Sequence, residues 1–262
     1  MVLRGTVTQG EIGPKTLTVE FPVRTDEVDR DGRMQLAALV LYLQEAAARH
    51  AADLGVSMQQ LAEQGLAWVL ARFRIRIVRL PTWRETVAVE TWPSAIERIY
   101  AMRDYLVRDA DGRELARADS AWLMMRIDSR RPVRLPRDFG QRVPAGILRS
   151  FEDSILNPLE LGVDLPIQNS SFEVREADTD INGHVNHAAL IGWMIDSALD
   201  RLDSSAGLRE LVVHFREEAV PGDQVRVDCR PGAAGSNGRS VDHIIRKQGS
   251  AGPVLLGRSH WE

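Results

Sequence analysis

A long internal repeat with a fixed offset of 151 residues organises this sequence. Residues 172–198 repeat residues 21–47, and nine of the 27 aligned positions are identical. The identical pairs are Phe21/Phe172, Val23/Val174, Arg24/Arg175, Asp29/Asp180, Gly32/Gly183, Ala37/Ala188, Ala38/Ala189, Leu39/Leu190 and Ala47/Ala198. A repeat of this length means that one structural unit occurs twice, and this constrains the fold more than any local motif.

The two copies predict the same local structure. In each copy an alternating strand is followed by an acidic loop that contains glycine, and then by a long helix. We predict these helices from about Gln35 to Leu54 and from about Asn186 to Leu202. Their centres are apolar on nearly every side, which is typical of a buried helix rather than of a surface helix. Each helix must therefore be wrapped by other elements.

Predicted strands provide the wrapping. They follow each helix as a series: Trp68–Val78, Thr86–Trp92, Ile99–Arg108 and Glu114–Arg126 in the first half, and Leu211–Glu218, Gln224–Arg230, Ser240–Lys247 and Val254–Trp261 in the second. The fold class is therefore α+β, with a curled antiparallel sheet wrapped around a long central helix in each half.

Three segments divide the chain. We predict an N-terminal domain over residues 1–136, a linker over residues 137–168 that crosses between the two sheets, and a C-terminal domain over residues 169–262. Prolines punctuate the linker region, which we expect to be irregular apart from a short helix near Gly146–Ser154.

Composition excludes several classes of protein. A chain of 262 residues with 44% apolar residues is long enough for two packed domains. The net charge of −4 argues against nucleic acid as a partner. The single cysteine, Cys229, excludes an internal disulfide framework and a cysteine-rich zinc site. The sequence has no apolar run of about 20 residues and no signal-peptide core at its start, so we predict a cytoplasmic protein with no membrane segment. We also predict no cofactor and no metal.

Short motifs spread over most of the chain match one protein family. They are Tyr42–Ala47 with His50, Trp68–Ile75, Trp83–Val87 with Glu90–Pro93, Arg98 with Arg103 and Asp104, Ser120–Trp122 with Arg130–Pro132, and Asp178–Asn186. This combination resembles the acyl-acyl-carrier-protein (acyl-ACP) thioesterases of plants and bacteria. The resemblance implies a tandem double hot-dog fold, with acyl-chain binding in the first half and catalysis in the second. It implies hydrolysis of fatty acyl-ACP to free fatty acid and holo-carrier protein, which terminates fatty acid synthesis.

The sequence departs from that family at three positions. His187 and Leu190 stand at the helix start where the family often has a second Asn and a Tyr. Ala219 stands where plant relatives have a cysteine that has been proposed as nucleophile. A mechanism based on that cysteine is therefore excluded for this chain.

Asp180, Asn182 and His184 are the main catalytic candidates. They occupy alternate positions, so an extended backbone would project all three side chains to one side. A carboxylate can activate water, an amide can orient it, and an imidazole can transfer a proton near neutral pH. Asp29 repeats Asp180, which leaves a purely structural role open for that aspartate. The first copy has Asp31 and Arg33 instead of the amide and the imidazole.

A fourth catalytic candidate is a glutamate. The family pattern places it three residues after an aromatic residue and five before an aspartate, and both counts select Glu218 rather than Glu217. A solvated strand face remains the alternative for either glutamate. We also expect backbone amides around Val185, Asn186 and His187, at the helix start, to polarise the thioester carbonyl. We interpret the His187 side chain itself as a helix-surface group.

Further predictions concern substrate binding. The resemblance suggests an apolar acyl tunnel in the first half, lined by Met34, Leu39, Leu43 and Trp68; core packing is the competing interpretation of all four. An acidic carrier protein or its phosphopantetheine could dock on the basic row of Arg72, Arg74, Arg76 and Arg79, although a solvated sheet face is the simpler interpretation.

Three alternative functions stay open. An acyl-CoA thioesterase would perform the same reaction on another carrier, a hot-dog hydratase or dehydratase would add or remove water on an acyl thioester, and a binding protein would perform no chemistry. Water activation and direct attack by a carboxylate, which gives a mixed anhydride, are both possible mechanisms. A homodimer is also possible.

Overall fold

One continuous antiparallel sheet dominates the structure. The computed structural model describes residues 15–146, 149–161, 168–199, 207–232 and 239–262, and the strands in these ranges join a single sheet. The strands of the first half are β1 Leu17–Pro22, β2 Leu66–Ile77, β3 Thr86–Glu97, β4 Tyr100–Arg108, β5 Glu114–Arg126 and β6 Pro132–Val133. Those of the second half are β7 Gln168–Glu173, β8 Leu208–Phe215, β9 Gln224–Pro231, β10 Arg239–Lys247 and β11 Pro253–Trp261. The helices are α1 Leu36–Asp53, α2 Met58–Ala62 and α3 His187–Leu199.

The strand order makes the duplication visible. The order is β1-β3-β4-β5-β2 in the first half and, running outwards from the centre, β8-β11-β10-β9-β7 in the second, with β6 added to β5. The second half thus repeats the first in mirror-image order. Strands β2 and β8 pair along the seam, from Arg72↔His214 to Arg76↔Glu210. We predicted two sheets, whereas the structure joins them into one.

The two long helices are buried, as their sequences predict. Helix α1 buries Leu39, Val40 and Leu43, and α3 buries Ile191 and Met194. The helices also contact each other across the seam, where a Cβ placed on Gly192 would lie 3.6 Å from the Ala37 Cβ. Each helix is therefore covered by its own part of the sheet on one side and by the other helix on another. Helix α1 begins one residue later than predicted, and the predicted end of α3 at Leu202 lies outside the described residues.

Several predicted strand ends differ from the observed ones. Strand β5 has the predicted limits, but β3 continues five residues past Trp92, with an irregularity between Pro93 and Ala95 that lets the proline remain in the strand. Strand β8 ends at Phe215, three residues before the predicted end at Glu218. The glutamates at 217 and 218 consequently belong to the connection that follows the strand.

The segment that follows β6 packs on the first half. Its 3₁₀ turn Arg137–Arg142 buries Phe139 against Trp68. Farther along, Phe151 and Ile155 are buried on the sheet face opposite the helices, where the Arg74 guanidinium lies 3.8 Å from the Phe151 ring centroid. The short helix predicted near 146–154 is wrong for its described residues, and 147–148 lie outside them. The boundaries at 136 and 168 stay a prediction.

No helix among the described residues is both long enough and apolar enough to cross a membrane.

Candidate active site

A tight turn carries the three motif residues of the second half. The Asp180 amide donates to the His184 carbonyl at 2.8 Å, and the Gly183 amide donates to the Asp180 carbonyl at 3.0 Å. Gly183 has φ +74°, a conformation that glycine adopts without strain. The backbone of this stretch is therefore not extended, although the prediction that all three side chains project to one side assumed an extended backbone. The turn nevertheless keeps the three residues of the motif within one compact loop.

Asp180 and Asn182 contact each other inside the turn. The Asn182 backbone amide donates to Asp180 Oδ1 at 2.8 Å, and the Asn182 side-chain amide lies 3.4 Å from Asp180 Oδ2. One carboxylate oxygen thus stabilises the turn, which is the structural role left open for Asp180. The other oxygen faces the amide of Asn182, so that the pair presents both a carboxylate and an amide.

His184 contacts Glu218 rather than Asp180. Its Nε2 lies 3.4 Å from Glu218 Oε2, and both side chains are partly exposed. The segment that carries Glu218 is held against the turn by the Val185 amide, which donates to the Ala219 carbonyl at 2.8 Å. The two candidates are far apart in sequence, and this single backbone bond explains how they meet.

Glu217 and Glu218 point in different directions. Glu217 Oε2 accepts a hydrogen bond of 2.6 Å from the Ser250 hydroxyl, on the far side of the segment from His184. Both glutamates follow the end of β8, so their separation arises from the loop and not from strand alternation. Among the two, only Glu218 contacts a motif residue in the part of the chain that is described.

Arg130 is a site residue that the sequence analysis did not select. Its guanidinium donates to Glu218 Oε2 at 2.8 Å, the same oxygen that lies near His184. Arg130 follows β5 in the first half and has φ +52°, an uncommon conformation for a residue with a side chain. In the sequence, Arg130 stands out only as part of a family motif. Its partner Glu218 lies 88 residues farther along the chain.

His187 lies in the site and not on the helix surface, which corrects our interpretation. Its ring stands edge-on to Phe215, with 6.1 Å between the centroids. His187 is half-buried, and the loss of solvation lowers the pKa of its imidazole to about 4 even though Asp180 acts in the opposite direction. His187 is therefore neutral at neutral pH, and it can donate or accept a hydrogen bond beside Asp180.

The amides predicted to polarise the thioester are mostly engaged elsewhere. The Val185 amide donates to Ala219 O and the Asn186 amide donates to Asp178 O, each at 2.8 Å. The prediction is therefore wrong for these two amides. The amide of His187, in the first turn of α3, has no acceptor among the described residues and remains a candidate.

The Asn186 side chain instead has a structural role. Its Oδ1 accepts from the Ala188 amide at 2.9 Å and so caps α3, while its Nδ2 donates to Gln44 Oε1 of α1 at 3.2 Å. Asn186 therefore fixes the start of the catalytic helix against the helix of the other half.

The four predicted tunnel residues do not form one surface. Met34, Leu39 and Leu43 are almost completely buried in the main core, which is the competing interpretation given above. Trp68 packs in a separate cluster with Leu54 and donates from its indole to the Val56 carbonyl at 2.9 Å. The acyl-binding role of these residues stays a prediction.

The basic row on β2 is largely neutralised, which corrects the idea of a free cationic face. Arg74 is buried and pairs with Asp119 at 2.8 Å and Asp153 at 2.9 Å. Arg76 pairs with Glu210 at 2.7 Å, and Arg79 pairs with Glu85 and Asp109. Arg72 is half-buried, and its side chain donates to the neighbouring Ala71 carbonyl. Little of this row is available to an acidic partner.

Comparison with known proteins gives consistent results for both halves. The family model described as the acyl-ACP thioesterase N-terminal domain matches residues 14–143, and the model of the C-terminal domain matches residues 166–261. A palmitoyl-acyl carrier protein thioesterase of Arabidopsis thaliana is 28% identical, and a dodecanoyl-[acyl-carrier-protein] hydrolase of Cinnamomum camphora is 29% identical. Each match covers 92% of this chain, which spans only 62% and 66% of the two relatives.

Solved structures extend the likeness to three dimensions. An acyl-ACP thioesterase from Bacteroides thetaiotaomicron superposes with a TM-score of 0.78 at 25% identity, covering 95% of this chain and 98% of the other. The 12:0-ACP thioesterase from Umbellularia californica superposes with a TM-score of 0.82 at 26% identity and covers 94% of both chains. The double hot-dog architecture expected from the sequence is confirmed.

Proposed function

The chain belongs to the acyl-ACP thioesterase family, and on this premise we propose that it hydrolyses fatty acyl-ACP to free fatty acid and holo-carrier protein. The observation that carries the proposal is the contact of His184 with Glu218 beside the Asp180–Asn182 pair. Thioester hydrolysis needs a base for water, an orienting group and a donor for the oxyanion, and these residues are chemically suited to the first two tasks.

Water is the nucleophile that we favour. The carboxylate of Glu218 or Asp180 takes a proton from water as the water oxygen bonds to the thioester carbonyl carbon. The tetrahedral oxyanion that forms needs a hydrogen-bond donor, for which the His187 amide is available. The proton taken from water then passes from the carboxylate to His184, and Glu218 lies 3.4 Å from His184 for this transfer. When the carbon–sulfur bond breaks, His184 delivers this proton to the leaving thiolate of the carrier, so both groups return to their starting protonation states. The bond changes balance with one water consumed per thioester.

Attack by a carboxylate is the mechanism to be distinguished from this one. It would form a mixed anhydride between enzyme and acyl group and expel the thiolate before water enters. A single turnover in water enriched in ¹⁸O separates the two mechanisms. Direct attack by water labels the fatty acid in that turnover, whereas an anhydride that is hydrolysed at the enzyme carbonyl leaves the product unlabelled.

Thiol release from acyl-ACP of graded chain length tests the function. We expect release from acyl-ACP, and we expect His184→Ala to lower kcat by about 10³-fold while the fold survives. His260→Ala is the matched control, since His260 lies near the opposite end of β11 from the site. Full activity of the His184 variant would contradict the mechanism.

The same assay decides between the carriers and between the reactions. Faster release from acyl-CoA than from acyl-ACP would assign the chain to the other carrier. Water gained or lost on enoyl or 3-hydroxyacyl thioesters without free thiol would assign it to the hydratases or dehydratases. Tight binding without turnover would make it a binding protein.

We also propose a cytoplasmic location and leave the homodimer as a prediction. The names of the plant relatives describe those proteins as chloroplastic, so cell fractionation is the direct test of location. Light scattering of the purified chain tests the homodimer.

A further inference from the structure

Five exposed arginines cluster at one end of the first half. They are Arg98, Arg126, Arg131, Arg134 and Arg137, and we call them the arginine rim. Arg98 lies in the turn between β3 and β4, and the other four lie at the end of β5 and after it. Since β3 ends and β4 begins at the sheet edge where β5 ends, the five residues share one end of the sheet.

The charges of the arginine rim are not neutralised by the protein. Among the described residues, none of the five has a carboxylate within 4 Å. The row on β2 differs, because Arg74, Arg76 and Arg79 each have at least one carboxylate partner. Residues 126–137 contain five arginines against one acid, Asp128, in a chain whose net charge is −4. The rim is thus a local concentration of positive charge on an acidic protein.

The arginine rim borders the candidate active site. Arg130 lies within the same turn as Arg126 and Arg131, and its guanidinium contacts Glu218. The turn is fixed by the Arg126 amide, which donates to the Arg131 carbonyl at 3.0 Å. A partner that covers the rim therefore reaches the mouth of the site.

Apolar side chains are exposed on the same surface. Ile96 and Ile99 flank Arg98, and together with Arg134 and Arg137 they line a surface pocket of about 490 Å³. Ile181, at the tip of the catalytic turn, is 89% exposed, which is unusual for a large apolar residue. Exposed apolar groups beside unpaired charges are typical of a protein-binding surface and not of a solvated one.

We propose that the arginine rim is the docking surface for an acidic acyl carrier protein. The inference rests on the proposed function, because it names where the carrier of that reaction binds. Charge complementarity selects this partner: the rim offers five free cations, and the two partners attract each other over a Debye length of about 8 Å at physiological salt. The exposed isoleucines add apolar contact. Arg130 lies in the same turn as part of the rim and contacts Glu218, so it connects the docking surface with the candidate active site.

Charge reversal tests the docking surface. We compare kcat/KM for an acyl-ACP with kcat/KM for the N-acetylcysteamine thioester of the same fatty acid, which carries no carrier and no charge. In the variant Arg131→Glu/Arg134→Glu we expect the ratio of the two values to fall by about tenfold or more, and added salt to lower the wild-type ratio. Arg113→Glu is the control: Arg113 is also exposed, but it pairs with Asp111 and lies just before β5, at the opposite end of the sheet.

Binding keeps the test independent of catalysis. Fluorescence anisotropy of labelled holo-acyl carrier protein should show weaker binding to the double variant than to the wild type or the control. The docking surface would be overturned if the double variant changed neither the ratio of the two kcat/KM values nor the binding of the carrier. It would also be overturned if kcat/KM fell equally for both thioesters. If the wild type releases no thiol from any thioester, the proposed function fails, and the binding experiment still decides the docking surface.

Discussion

The two copies of the motif turn have nearly the same backbone and different chemistry. In the first, the Asp29 amide bonds to Arg33 O at 2.8 Å and the Gly32 amide to Asp29 O at 3.0 Å, which are the distances found for Asp180 and Gly183. Both glycines have φ +74°. The equivalent turns differ in what their side chains do, so the shape of the turn does not require the catalytic residues.

The partner segments of the two turns show the same contrast. The Met34 amide bonds to Pro81 O at 2.8 Å, as the Val185 amide does to Ala219 O. Leu80 therefore occupies in the first half the place that Glu218 occupies in the second. A leucine cannot act as a base, so the first half has no equivalent of the Glu218 carboxylate, the His184 imidazole or the Asn182 amide.

Asp29 and Asp180 show how a shared residue can change its role. Asp29 Oδ1 accepts from two amides, those of Asp31 and Arg33, each at 2.9 Å. Asp180 Oδ1 accepts only from Asn182 N among the described amides, and its second oxygen faces the Asn182 side chain. The comparison teaches that both aspartates accept a hydrogen bond from the turn, whereas among the described residues only Asp180 also has its second oxygen beside a side-chain amide.

Glu218→Gln is the strongest test of this contrast. The variant keeps the shape of the side chain but removes the base beside His184, and we expect kcat to fall by about 10³-fold. Glu217→Gln is the matched control, since the neighbouring side chain bonds Ser250 instead. A larger loss for the control than for Glu218→Gln would show that the wrong glutamate has been selected.

Substituting the shared aspartate in each half sharpens the comparison. Asp180→Asn should lower kcat by about 10²-fold, because the uncharged amide cannot accept a proton. Asp29→Asn should leave kcat unchanged and cost at most about 1 kcal/mol of unfolding free energy, since asparagine can still accept from the turn amides. Thiol release and urea unfolding of both variants supply the measurements. Equal losses of activity would mean that Asp180 serves the turn alone.

Acid should weaken the second half of the molecule through its histidines. His187, His214 and His243 all belong to the second half, and burial lowers the pKa of His243, which is fully buried, to about 3. The unfolded chain, with histidine near 6.5, then binds more protons, so this stability is complete above pH 6.5 and is lost as the pH falls. Between pH 6.5 and pH 5 we expect His243 alone to cost about 1.7 kcal/mol, which is roughly a 16-fold change in the unfolding equilibrium.

Urea unfolding at the two pH values measures this loss. His243→Gln, which can still bond Ser259, should show a smaller fall in unfolding free energy between pH 6.5 and pH 5 than the wild type does. His260→Gln, at a partly exposed position, serves as its control. An identical pH dependence in the His243 variant and the wild type would refute the assignment.

Removing Arg130 tests the contact through which the first half reaches Glu218. An exposed ion pair stabilises weakly, so we expect Arg130→Ala to lower kcat by only about five- to tenfold on an N-acetylcysteamine thioester. Arg130→Lys should restore most of the activity, and Arg209→Ala, which removes an exposed pair with Glu262, should have no effect. Unchanged kcat in Arg130→Ala would leave Arg130 with a structural role only.

Features that depend on local pattern could be predicted from the sequence. The repeat predicted two buried helices, and the predicted range of β5 has the observed limits at both ends. Apolar periodicity indicates which residues face the core, and it does so however the elements then pack together.

Features that depend on contacts between the halves could not be predicted in this way. The first half contains α2 after its long helix, and beyond this point the offset between the two copies falls from 151 to 138 residues. An alignment at the constant offset of 151 therefore does not pair Leu80 with Glu218. Arg130 reaches Glu218 from a turn in the other half, and no local pattern records such a contact. The engaged amides of Val185 and Asn186 likewise depend on which neighbours approach the helix start.

The seam between β2 and β8 also has a consequence for symmetry. A dimer of identical chains with a two-fold axis receives every substitution twice, so a change that helps one site is copied into the other. Here the pseudo-two-fold axis passes between β2 and β8 of one covalent chain, and the partners on either side are free to differ. Joining the edges thus allows a division of labour, in which one copy can do without the amide, the imidazole and the glutamate while the backbone hydrogen bonds of its turn stay intact.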